Sequence, residues 1–237
     1  MAYACRNMQE WKSYELARKQ TNLSMVAAQH LHDLRDALDE EGQAHRPLWV
    51  NGDGGYTNEK VLKSLPERTI FTGRIRKDAV LHHPPALQEH SGRGRKRQYG
   101  PCAPTPEQLR QDESHPWRTV NAWAAGKTHA FHIKTLDHVQ WRTAGAGHTL
   151  RLIVIRPLGY RLRKDAKVLY RQPAYLICTD PGQPLERVLQ YYLWRWGIEA
   201  NHRDEKQLIG VGDAQVRTPE AAGNVPAFLV AAYALLR

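Results

Sequence analysis

Between Pro47 and Thr72 the sequence passes from one short apolar run to another through a helix-length stretch, an order that belongs to α/β layers. Pro47, Leu48, Trp49 and Val50 read as a buried strand that stops at Asn51, Gly52, Asp53, Gly54 and Gly55, so Asp53 stands at the strand's C-terminal end. A short helix follows, with Thr57 or Asn58 as N-cap and Val61, Leu62 and Leu65 facing inward. Pro66 ends it. Residues 69–72 then form a second buried strand that runs into Gly73, Arg74, Ile75, Arg76 and Lys77. Upstream, Leu23, Ala27, Leu31, Leu34 and Leu38 recur at spacings of three and four, which predicts an amphipathic helix over 22–41 ended by Gly42.

Beyond this unit the composition changes. Residues 81–111 are rich in Pro, Gly, Arg and Gln and are expected to bury little, as a flexible basic loop that includes Arg93, Arg95, Lys96 and Arg97. Stretches at 117–123, 128–133, 150–155 and 168–177 favour strands and predict a mostly antiparallel, β-rich insertion. One long helix is expected over 184–210 and another over 218–237, the second interrupted by Pro226. Three parts follow: 1–80 with the α/β unit, 81–180 with the loop and insertion, and 181–237 with the C-terminal helices.

A chain of 237 residues, 41% hydrophobic, can bury one sizeable core. Its 34 Lys and Arg outnumber 24 Asp and Glu, and a net charge of +10 favours a polyanionic partner through release of counterions. Cys5, Cys102 and Cys178 are far apart and form no paired spacing, so neither a disulfide framework nor a zinc site is indicated, and a cytoplasmic setting fits. No apolar run is long enough to cross a membrane, and 1–20 holds no signal-peptide core. No Rossmann fingerprint follows the glycine runs, so no nucleotide cofactor is implied. His82 and His83 lack a ligand partner at metal spacing.

Tyr192, Arg195, Glu199 and Lys206 fall at offsets of 0, 3, 7 and 14. On one continuous helix they occupy a stripe roughly 60° wide. A carboxylate flanked by cations can hold a divalent metal while the cations grip phosphates, although a solvated stripe of ion pairs has the same spacing. Gly197 stands inside that helix at a cost of roughly 1 kcal/mol, which suggests close approach by another group.

This pattern, Y-x2-R-x3-E-x6-K, resembles the signature around the last catalytic carboxylate of a large group of bacterial insertion-sequence DDE transposases. The strand ending in Asp53, with Tyr56 shortly after, is similar to the segment carrying that family's second catalytic Asp. The resemblance covers roughly residues 20–237. It implies an α/β, ribonuclease H-like core with a β-rich insertion before the carboxylate helix. It further implies a two-metal site for Mg²⁺ or Mn²⁺ with Asp53 and Glu199 as catalytic ligands, and DNA contacts from Tyr192, Arg195 and Lys206. Arg74, Arg76 and Lys77, just after the second strand, are expected to contact DNA as well.

The partners so implied are double-stranded DNA, as transposon ends and target, and a second copy of the chain in a homodimer, within the bacterial nucleoid. The family's first Asp, on an earlier strand, has no match here. Asp33, Asp36 and Asp39 lie on the 22–41 helix, where surface positions explain them. The core is therefore expected to be N-terminally incomplete. Two readings stand: a transposase, or part of one, that cleaves and transfers DNA strands, and a non-catalytic DNA-binding remnant of such an enzyme.

Overall fold

The computed structural model describes residues 8–20, 22–86, 97–160 and 167–236. Arg93, Arg95 and Lys96 of the expected basic loop lie outside the described residues, as does Cys5. The chain divides into two compact units, Met1–Val188 and Leu189–Arg237.

The first unit begins with helices α1 (Met8–Gln20) and α2 (Leu23–Glu40). Asn22 caps α2 by accepting the Ser24 N–H at 3.1 Å, and Gly42, at φ +75°, ends it as expected. The buried face of α2 differs from the predicted stripe. Leu23 and Leu34 are exposed, whereas Ala28 and Arg35 are buried. Arg35 goes inside because its guanidinium finds acceptors there: Asp39 at 2.6 Å and the carbonyls of Arg46 and Gln43 at 2.7 and 3.3 Å. Asp39 also binds Arg68 at 2.6 Å, so it is a structural bridge between two arginines.

Strand β1 (Leu48–Gly52), helix α3 (Glu59–Lys63) and strand β2 (Thr69–Arg74) form the expected unit, with β1 and β2 parallel from Leu48↔Thr69 to Gly52↔Gly73. Asn58 is the N-cap of α3, accepting the N–H groups of Lys60 and Val61. Val61 and Leu62 are buried and Leu65 packs against the same core.

The flanks of the expected basic loop are ordered rather than flexible. Leu81, Ala103 and Leu109 are buried in the core, and His82 forms β-bridges with Cys102 and Gln140. Helix α4 (Pro106–Gln111) forms because Thr105 and Gln108 cap each other's backbone while Pro106 opens the first turn. Average composition hides such a local signal.

Strands β3 (Arg118–Ala124), β4 (Lys127–Val139), β5 (Leu150–Ile155) and β8 (Ala174–Cys178) are antiparallel neighbours; the short β6 (Gly159–Tyr160) and β7 (Leu169–Tyr170) pair separately. The β-rich stretch joins the α/β unit edge to edge, since β8 pairs with β2 at Thr72↔Cys178. One six-stranded sheet results, in the order β1-β2-β8-β5-β4-β3. Phe71, Leu62, Leu109, Leu152 and Ile177 lie fully buried in its core.

Helix α5 (Leu185–Trp194) leads into the second unit, which also holds α6 (Trp196–Leu208) and α7 (Pro219–Leu236). The single long helix expected over 184–210 is two, separated at Arg195. There the bonds from Arg195 N–H to Tyr192 O and from Ile198 N–H to Arg195 O tighten the turn to i→i−3. Pro226 lies inside α7 without ending it. Among the described residues no helix is long and apolar enough to cross a membrane.

Candidate functional site

Asp53 follows the last residue of β1 directly, and its own side chain shapes the turn that holds it. Asp53 Oδ1 accepts the N–H groups of Gly55 at 2.8 Å and Tyr56 at 3.3 Å, while its carbonyl accepts the Thr57 hydroxyl at 2.7 Å. The other carboxylate oxygen accepts no hydrogen bond from the described residues, and the residue is exposed. One oxygen fixed and one open is a donor arrangement that suits a hard divalent cation. Two residues earlier on β1, the Asn51 Oδ1 atom is buried without a hydrogen-bond partner among the described residues.

Of the glycines of this turn, Gly52 and Gly55 have close neighbours, and none has left-handed backbone. Neither Gly54 nor Gly55 has positive φ. A Cβ on Gly52 would stand 2.6 Å from the Phe71 ring, and one on Gly55 would stand 3.2 Å from Asp53 Oδ1. A Cβ on Gly73 would run into the Thr57 hydroxyl and the Phe71 ring. Gly52 and Gly73, paired at the end of β1, therefore leave room for the Phe71 ring. Arg74 is a neighbour of this turn, since its carbonyl lies 3.8 Å from the Cβ position of Gly54.

In the second unit the structure brings Tyr192, Arg195 and Glu199 together. The Arg195 guanidinium carbon lies 5.6 Å from the Tyr192 ring centroid, and a terminal nitrogen lies 3.7 Å from Glu199. The Glu199 side chain is 51% exposed and has no closer ion-pair partner among the described residues. It too is open to a cation. Arg195 Nε, at the junction, and Asn201 Oδ1, within α6, are buried without hydrogen-bond partners among the described residues. Lys206 is exposed and joins no ion pair among the described residues. Gly197 makes no close approach: a Cβ there would meet nothing within 4 Å.

Asp53 lies in the first unit and Glu199 in the second. Of the cations after β2, Arg76 binds Asp78 through two nitrogens at 3.0 Å, which holds the Asp78 carboxyl below the usual range. Arg74 and Lys77 are exposed and carry no ion pair among the described residues. His82 approaches Cys102 Sγ at 3.9 Å. No group of three His, Cys, Asp or Glu side chains is arranged to hold a metal ion among the described residues. Sequence reasoning did not single out Asn51 or Asn201, because nothing in the sequence marks an amide oxygen as buried and unbonded.

The family model described as transposase DDE domain matches residues 14–235, a span that contains Asp53, Tyr192, Arg195, Glu199 and Lys206. No curated protein matches the chain.

Proposed function

Because the chain belongs to the transposase DDE domain family, we propose that it acts on the DNA of an insertion sequence, in metal-dependent strand cleavage and strand transfer. The observation that carries this reading is the family match across nearly the whole chain, supported by two carboxylates that each keep an oxygen open.

Asp53 and Glu199 are the proposed metal ligands. Divalent ions go with the family's chemistry, and carboxylate oxygens suit Mg²⁺ or Mn²⁺. Bound there, such ions would activate the attacking oxygen and stabilise the leaving one. The chain's own residues hold and orient. The Gly55 and Tyr56 N–H groups fix the Asp53 carboxylate, and Arg195 keeps Glu199 in place without closing a tight ion pair. Arg195 and Lys206 contact DNA phosphates, Tyr192 stacks on a base or bonds a phosphate, and Arg74, Arg76 and Lys77 grip the backbone beside Asp53.

Incubation of the purified chain with labelled duplex DNA and Mn²⁺ tests this reading. Cleavage lost in Asp53→Asn and in Glu199→Gln supports it, and implies that the chain also supplies the third ligand. Duplex binding with no metal-dependent cleavage leaves the non-catalytic, DNA-binding reading.

A further inference from the structure

Positive charge continues past Arg74 along the first unit. Two adjoining clefts of about 760 and 510 Å³ share Arg110, Pro157, Gln172 and Pro173 as walls and so form one groove. Seven lysines and arginines line it against the carboxylates of Glu107 and Glu113. Glu107 is taken up by Arg110 at 2.6 Å, and Arg76 by Asp78 at 3.0 Å. Arg74, Lys77, Lys134 and Arg156 are left with no ion pair among the described residues.

Lys134 is the informative member, since it is only 2% exposed. Its ammonium donates to the carbonyls of Arg110 at 3.1 Å and Asp112 at 2.5 Å, at the C-terminal end of α4, and lies 4.6 Å from the Trp117 ring centroid. Helix-end carbonyls and a ring face offset part of the cost of burying a charge, yet no carboxylate among the described residues pairs with it. The Arg156 guanidinium carbon lies 5.9 Å from the same ring, at the mouth of the groove. A buried cation and an exposed one thus share one indole.

Strand register places these groups toward a single end of the sheet. Asp53 follows the Gly52↔Gly73 pair, Arg74 is level with Leu176, and Arg156 follows the Ile155↔Ala174 pair. From β1 to β4 is four strand spacings, roughly 19 Å. That length corresponds to about five or six base-pair rises of duplex DNA. We infer that the groove is a track for the phosphodiester backbone of DNA, leading from the Asp53 turn past Arg74 and Lys77 to Arg156, with Trp117 and Lys134 as its fixed far wall. The inference rests on the DNA reading above and extends it to a surface that neither Asp53 nor Glu199 occupies.

Fluorescence anisotropy of a labelled duplex with the full chain, across a salt series, tests it. Arg171 lines the same cleft as Arg156, and Arg156→Ala combined with Arg171→Ala is expected to weaken binding about tenfold and to lower the salt slope by about two. The control pair Lys63→Ala and Arg142→Ala, exposed and outside the lining of the groove, is expected to change affinity less than about twofold. Groove variants that match the control pair would overturn the track while leaving the DNA reading intact. A wild-type chain that binds no duplex would overturn both. Calorimetry with inorganic phosphate completes the test: binding as tight as that of the duplex would make the groove a general anion site and overturn the assignment to DNA.

Discussion

Arg195 approaches Glu199 to 3.7 Å, a loose contact for residues one helical turn apart, and it leaves the carboxylate half exposed. Such a pair contributes little to stability, on the order of 0.5 kcal/mol or less. Glu199→Gln is therefore expected to leave the thermal midpoint nearly unchanged while weakening metal binding at least tenfold. Parallel melting and calorimetry would check this, and a large loss of stability would show that Glu199 is a structural residue.

Two glycines should respond to alanine in opposite directions. A Cβ at Gly73 meets the Thr57 hydroxyl and the Phe71 ring, both buried, so Gly73→Ala is expected to cost about 1–3 kcal/mol. Open space surrounds Gly197, and Gly197→Ala is expected to stabilise the second unit by about 0.5–1 kcal/mol. Denaturant unfolding of the two variants distinguishes them.

The Glu107 and Tyr175 side chains, hydrogen-bonded to each other, set a pH window. The Arg110 guanidinium beside Glu107 holds its carboxyl at about 2, down from 4.5. The folded value is depressed, so this contribution is present above pH 4.5 and lost as pH falls toward 2. Burial, and then the Glu107 hydrogen bond, push the Tyr175 phenol up to about 12 from 10.0. Its contribution is present below pH 10.0 and lost as pH rises toward 12. Thermal melting across pH is expected to show both declines, the acid one flattened in Glu107→Gln and the alkaline one in Tyr175→Phe.

What the sequence made legible is what local signals determine. The Pro47 run, the Asn58 cap and Pro66 each act within a few residues, and the β1-α3-β2 unit appears in the order they predict, with β1 running on through Gly52 and α3 ending at Lys63, before Pro66. Tyr192, Arg195 and Glu199 meet because offsets of three and four bring side chains together even across a tightened turn. Lys206, seven residues beyond Glu199, makes no contact with that cluster among the described residues. Pairing of Thr72 with Cys178 was not legible, since strand partners distant in sequence leave no local trace. Nor was the burial of Lys134 or Arg35. Each depends on carbonyls that only the folded chain brings within reach.

Mn²⁺ titrated by calorimetry into the wild-type chain, Asp53→Asn and Glu199→Gln tests the central claim most directly. The expected result is saturable binding by the wild type that either substitution weakens at least tenfold, with melting midpoints unchanged. Binding of equal strength in all three proteins would contradict the assignment of Asp53 and Glu199 as the metal ligands.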